Sequence, residues 1–309
     1  MLTRDNFKGP WAGLPVAWTD TDQFDEQTYR DDVVRCCQAK MPGIYTGGTT
    51  GEFYAMEFDE FREVTRVTIE ACKPYRVPVM IGCTSTYTRG VLRRVEIARE
   101  FGADAIQVAV PYWLEVGESQ LLPFFREIAA AAGDMSISLY DSSRTKNKFT
   151  VDQHLAIKDA VPQYLMIKSN AGTVGTTPEG CEVLSEHLNV FVGEHLWADL
   201  GPHGAIGCCS AMVYWNPTII LRIWRSLEQR EWAALRKWNK KLERLYGFLM
   251  EQYVPKGFVD TAFDRMGGRA SGFLKTSLNN RGPYPSATEE DVQILRYWYE
   301  NNFPEMLKL

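Results

Sequence analysis

From Leu14 to Cys209, short β-rich runs alternate with longer stretches of helical period, and this alternation limits the fold more than any other feature of the chain. The β-rich runs are "LPVAW", "GIYTGG", "VPVMIGC", "AIQVAVP", "SISLYDSS", "LMIKSN", "NVFVGE" and "AIGCC". Between them lie segments such as "DEQTYRDDVVRCCQAK", "FDEFREVTRVTIEACK", "RGVLRRVEIAREFG", "ESQLLPFFREIAAAAG" and "TVDQHLAIKDAV", whose apolar residues recur every three to four positions. Eight strands alternating with helices is the count of a (β/α)₈ TIM barrel, whose usual size of about 250 residues fits a chain of 309. A doubly wound open sheet is the alternative. After Cys209 the pattern changes, and the stretch from "NPTIILRIW" to "EEDVQILRYWYENNF" reads as helical throughout, an extension folded on the barrel or on a neighbouring subunit. The expected organisation is therefore a barrel over residues 1–230 and a C-terminal all-helical region over 231–309. The aromatic residues of the second part read as core packing, and "YVPKGF" and "NNRGPYP" as turns.

Composition narrows the function classes. The net charge of -5 and the scattering of Lys and Arg exclude a nucleic-acid surface. No apolar run approaches the ~20 residues of a membrane span. The start "MLTRDNFKGPW" lacks the apolar core of a signal peptide, so a cytoplasmic location is expected. Seven cysteines, an odd number with no CxxC spacing, argue for buried thiols and against a disulfide framework. The four histidines form no HExxH or similar cluster, and nothing points to a metal.

In a barrel, chemistry gathers at the C-terminal ends of the strands. Lys168 ends the run "YLMIKSN", Tyr140 ends "SISLY", Gly48, Thr49 and Thr50 follow "GIYTG", and Trp113 follows "VAVPY". A buried ammonium is costly unless paired, so Lys168 is either held by a carboxylate or kept among apolar residues as an amine that attacks a ketone. Tyr140 is either packing or a phenol that both gives and accepts protons. The stretch "GGTTGE" is either a tight turn or a cradle in which amides and two hydroxyls hold a carboxylate. Glu52 would orient that loop or cap the helix starting near Phe58. His195 and His203, at strand-end or loop positions, are candidates for substrate contact.

"GGTTGEF", "LYDSSRT" and "MIKSNAGT", in that order, resemble the family of dihydrodipicolinate synthase and N-acetylneuraminate lyase, the class I pyruvate-type lyases. The resemblance runs from about Gly13 through "GAIGCCS", whereas the C-terminal helices match only in general character. It implies a barrel with a helical C-terminal region, a tetrameric or dimeric homo-oligomer, and an imine between Lys168 and a 2-oxo acid with no metal or organic cofactor. By the same resemblance Tyr140 would shuttle protons, Gly48, Thr49 and Thr50 would hold the carboxylate, and Ile206 would lie beside the imine. Trp113 stands where the synthase has a second tyrosine that enters the neighbouring subunit's site. An indole is no proton relay, and it resembles instead the hydratase-aldolases of aromatic 2-oxo acids. Arg144 is kept at the position that binds the synthase's aldehyde carboxylate, though on a loop with Lys146 and Lys148 it also reads as a solvated cation. Ser169 replaces the usual glutamate. The expected function is a Schiff-base lyase of pyruvate or a longer 2-oxo acid, by aldol cleavage, addition or dehydration. The alternatives are 4-hydroxy-tetrahydrodipicolinate synthase and, from another class, a non-catalytic barrel that binds a 2-oxo or sugar acid.

Overall fold

The computed structural model describes residues 1–309. Eight parallel strands close into a barrel in chain order. They are β1 (Gly9–Gly13), β2 (Gly43–Thr46), β3 (Val79–Gly82), β4 (Ala105–Val108), β5 (Ser136–Asp141), β6 (Tyr164–Ser169), β7 (Asn189–Phe191) and β8 (Ala205–Ser210). The helices after β1 to β6 are α1 (Glu26–Gln38), α2 (Phe58–Cys72), α3 (Thr88–Phe101), α4 (Glu118–Ala132), α5 (Val151–Ala160) and α6 (Pro178–His187). The short helices α7 (Trp197–Leu200) and α8 (Met212–Trp215) flank β8, and α9 (Pro217–Glu228) packs on β1 and β8. Then come α10 (Trp232–Tyr253), α11 (Asp260–Ser271) and α12 (Glu289–Asn302). No helix is long and apolar enough to cross a membrane.

Local chemistry explains the boundaries. Asp25, Thr150, Thr177 and Thr288 accept hydrogen bonds from the first free amides of α1, α5, α6 and α12. Glu57 and Glu60 form a reciprocal capping box at the start of α2, so Glu52 does not cap that helix.

The first strand is "GPWAG", not "LPVAW". Glycine and proline hide it from propensity, yet Trp11 needs this setting, because a Cβ at Gly43 on the next strand would lie 2.4 Å from its indole. Trp11 packs with Phe7, 4.8 Å between ring centroids, and Phe7 with Phe191 at 5.9 Å. With Leu2, Tyr45, Met80, Ala105 and Met166 they form a separate buried cluster that fills the barrel interior. Above it a polar ladder crosses from β2 to β5: Tyr45 Oη donates to Gln107 Oε1 at 2.6 Å, and Gln107 Nε2 to Ser138 Oγ at 3.1 Å.

The C-terminal region is not helical throughout. Gly272, with φ of +87°, ends α11, and the chain then runs without a helix to the start of α12. That irregular segment returns to the barrel mouth. The larger hydrophobic core is continuous, uniting residues of the barrel layer with Leu242, Leu249, Phe263 and Tyr299 from α10, α11 and α12.

Candidate active site

The strand register brings Tyr140 of β5 directly beside Lys168 of β6. Successive residues of a strand face opposite sides, so paired residues on neighbouring parallel strands share one face. Lys168 Nζ lies 4.2 Å from the centroid of the Tyr140 ring and 5.8 Å from that of Tyr45. Asn170 Nδ2 donates to Tyr140 Oη at 2.7 Å, which fixes the phenol and leaves its proton free to point into the site. No carboxylate pairs with Lys168 within ion-pair distance, so the reading of it as one half of a salt bridge is not realised.

The loop after β2 completes the inner site. Gly47 turns it with φ of +74°, and a Cβ there would lie 2.7 Å from the Gly82 carbonyl. Gly48 lets the backbone pass the Tyr45 phenol, since a Cβ would lie 2.2 Å from Oη. The amides of Thr49 and Thr50 donate to no group of the chain, although the Thr49 carbonyl accepts from Glu52 N at 2.9 Å. Glu52 then locks the loop. Its fully buried carboxylate accepts from Trp18 Nε1 at 2.6 Å, from Arg281 N at 2.8 Å and from the fully buried Arg265 guanidinium of α11. Arg265 also reaches Thr276 Oγ1 and Asn280 Oδ1, both at 3.1 Å. The carboxylate in "GGTTGE" is thus a loop-orienting group tied to the distant C-terminal segment.

Two cavities meet here. The inner one, about 250 Å³, is lined by Lys168, Tyr140, Thr49, Thr50, Ser169, Asn170, Cys209, Asp260 and Asp264, with Trp215 and Tyr246 behind them. The outer one, about 370 Å³, shares Tyr140, Thr49 and Asp260 and adds Gly48, Arg144, Phe53, Tyr54, Tyr112, Val259 and Tyr284. Ser169 Oγ is buried without a partner beside the lysine. Burial raises the Asp264 carboxyl to about 7, helped by the neighbouring Asp260 and opposed by the Thr50 and Tyr214 hydroxyls and Arg265. Burial likewise lifts the Cys209 thiol to about 11 although Lys168 pulls it down, so Cys209 is a neutral wall.

Two expected residues stand elsewhere. Trp113 is 75% exposed and lines neither cavity, its ring lying 5.8 Å from Lys146 Nζ; the preceding Tyr112 faces the outer cavity instead. The chain bends through Tyr112, Trp113 and Leu114, and only the first of these side chains is turned into the cavity. Ile206 packs against the interior cluster below the site, and Cys209 takes the place on β8 that lines the inner cavity. His203 pairs with Glu182 of α6 at 3.1 Å, and His195 is exposed beside Tyr246, so neither lines a cavity. Asn170, Cys209, Asp260 and Asp264 were not singled out from the sequence. Asn170 was within reach of it, two residues after Lys168.

The model of the dihydrodipicolinate synthetase family matches residues 6–295. A 4-hydroxy-tetrahydrodipicolinate synthase of Rhizobium meliloti is 26% identical over 293 residues, covering 94% of this chain and 98% of its own. Among solved structures, PhdJ bound to a substrate intermediate superposes with a TM-score of 0.86 at 21% identity, covering 99% of this chain and 98% of that one. YagE, a prophage protein of E. coli K12 solved with pyruvate, gives 0.84 at 19% identity, covering 95% and 98%.

Proposed function

We propose, for a chain that belongs to the dihydrodipicolinate synthetase family of lysine Schiff-base lyases, that Lys168 is the imine-forming residue and that pyruvate or a longer 2-oxo acid is its substrate. The observation that carries this assignment is the pairing of Lys168 with Tyr140 at the floor of one cavity that also holds the Thr49 and Thr50 loop.

The chemistry follows from the arrangement. The substrate carboxylate rests on the free amides and hydroxyls of Thr49 and Thr50, which places the keto carbon at Lys168 Nζ. The amine adds to that carbon, the carbonyl oxygen leaves as water, and the resulting iminium draws electrons from the adjacent bonds. A C3–C4 bond bearing a 4-hydroxyl then breaks to an aldehyde and an enamine, or C3 loses a proton and the 4-hydroxyl departs as water. Tyr140, its oxygen held by Asn170, moves the proton in either direction. Protonation of the enamine and attack of water on the imine release the 2-oxo acid and restore the lysine.

Cleavage or dehydration of a longer 2-oxo acid is favoured over condensation with aspartate semialdehyde, because Trp113 offers no proton where the synthase relay has a tyrosine. The synthase remains the second reading, supported by the name that the Rhizobium meliloti relative carries. A cytoplasmic homo-oligomer belongs to the same proposal. Six buried free thiols and one half-buried suit a reducing compartment, and the exposed pair Trp113 and Leu114 at the rim suits a subunit contact.

The test is mass spectrometry after incubation with pyruvate and sodium borohydride. A reduced pyruvyl adduct mapped to Lys168, and missing from Lys168→Ala, is the expected result. A wild-type protein that forms no adduct with pyruvate or with any longer 2-oxo acid would sink the assignment and leave a binding barrel.

A further inference from the structure

Arg144 is the one cation that lines the outer cavity, and its guanidinium is already taken by a carboxylate of the same chain. Nη2 lies 3.1 Å from Asp260 Oδ1 and 3.0 Å from Oδ2, while Nη1 reaches Thr49 Oγ1 at 3.5 Å. Asp260 is also the one anion of that cavity, so the pair leaves it without net charge. One helical turn on, Asp264 adds a second carboxyl to the inner wall. The remaining lining is uncharged: the rings of Phe53, Tyr54, Tyr112 and Tyr284, with the hydroxyls of Thr84 and Ser142 between them. An ion pair with both partners about half exposed adds little to stability, so fold maintenance does not account for it.

Resting on the imine reading above, we propose that Asp260 is a specificity-determining residue: it occupies Arg144 and turns away a second carboxylate, so the site takes 2-oxo acids whose distal end is uncharged. A dicarboxylic substrate has to displace Asp260 from the guanidinium and then lie beside the carboxylate it displaced, with Asp264 behind it. An uncharged distal group leaves the pair intact and packs on the rings around it.

The experiment compares matched 2-oxo acids by borohydride trapping, which needs no turnover. The concentrations giving half-maximal adduct are measured for 2-oxoglutarate against 2-oxopentanoate, and for 2-oxoadipate against 2-oxohexanoate, with pyruvate as the reading of imine formation alone. Wild type is expected to require at least about tenfold more of the dicarboxylate in each pair, the penalty of a like charge left beside the substrate. Asp260→Asn should lower that ratio about tenfold, and Arg144→Met, which leaves Asp260 bare, should raise it. A residue with a purely structural role would shift both members of a pair together, and opposite movements in the two variants would not arise from misfolding. Equal trapping of both members by wild type, a ratio unmoved in Asp260→Asn, or trapping of pyruvate but of no longer acid overturns the proposal. Absence of any adduct, pyruvate included, overturns the imine reading itself.

Discussion

Replacing Glu52 by alanine removes the charge that pairs the buried Arg265 and two further acceptor bonds, from Trp18 Nε1 and Arg281 N. Both side chains of the ion pair are fully buried, so the guanidinium left behind keeps only the neutral acceptors Thr276 Oγ1, Asn280 Oδ1 and the Ser277 carbonyl. Stranding one partner of a buried pair costs about 3–5 kcal/mol. A chain of 309 residues unfolds with an entropy of about 0.65 kcal/mol/K, so the expected fall in Tm is about 5 to 8 °C. Scanning calorimetry measures it directly. The double variant Glu52→Met with Arg265→Met strands no charge and should lose less than the single alanine variant. Because Glu52 also holds the Thr49 and Thr50 loop, the concentration of pyruvate needed for half-maximal trapping should rise in both variants. A fall in Tm below about 2 °C, or a double variant as unstable as the sum of its parts, would refute the view that this pair fastens the C-terminal segment to the loop.

Other perturbations separate stability from chemistry. Burial raises the Asp264 carboxyl to about 7 from an ordinary 3.8, so the folded state holds a proton that the unfolded chain gives up, and stability falls as pH climbs between those values. Asp264→Asn should therefore gain more in Tm over wild type at pH 8 than at pH 4, and an equal difference at both would contradict this. Gly47→Ala forces a side chain into a left-handed turn against the Gly82 carbonyl, and weaker trapping of every 2-oxo acid is expected. Tyr140→Phe should still be trapped by borohydride while turnover falls by about 10²–10⁴-fold, the usual weight of a positioned proton donor. Asn170→Ala, which frees the phenol without removing it, should fall less; a loss equal to that of Tyr140→Phe would mean that the phenol moves no proton unless Asn170 holds it.

The parts of the molecule written locally were legible in the sequence. β6 announces itself by an apolar run, and the rule that barrel chemistry sits at strand ends leads from it to Lys168 and Tyr140, which the register then places side by side. β1 was hidden because Gly9, Pro10 and Gly13 mask it from propensity, and Gly9 is kept small by Trp224, 2.7 Å from where its Cβ would lie, a tertiary demand that outweighs propensity. Asp260 and Asp264 were hidden for a different reason. They sit on a helix whose apolar pattern advertises packing, and only the folding of α11 over the mouth turns two ordinary surface-type residues toward a lysine some ninety positions earlier. Glu52 stands between these cases: its place in "GGTTGE" was visible, but its partner lay far along the chain, so a local cap and a long-range ion pair could not be told apart. For Tyr112 and Trp113, the pattern named the right segment, and one step of backbone rotation decided which of the two faces the cavity.

The aromatic filling of the barrel floor by Trp11, Phe7 and Phe191 also sets an order of events in time. With that end stopped, everything that reaches Lys168 enters and leaves by the mouth, past Arg144 and the ring-lined outer cavity. If Lys168 forms the imine proposed above, the half of a substrate bonded to it is the last to depart, and the half released by cleavage must clear the path first. Steady-state kinetics should carry this signature: pyruvate, which leaves the free enzyme, should inhibit cleavage competitively with the longer 2-oxo acid, and the aldehyde, which meets an enzyme still carrying its enamine, should inhibit noncompetitively.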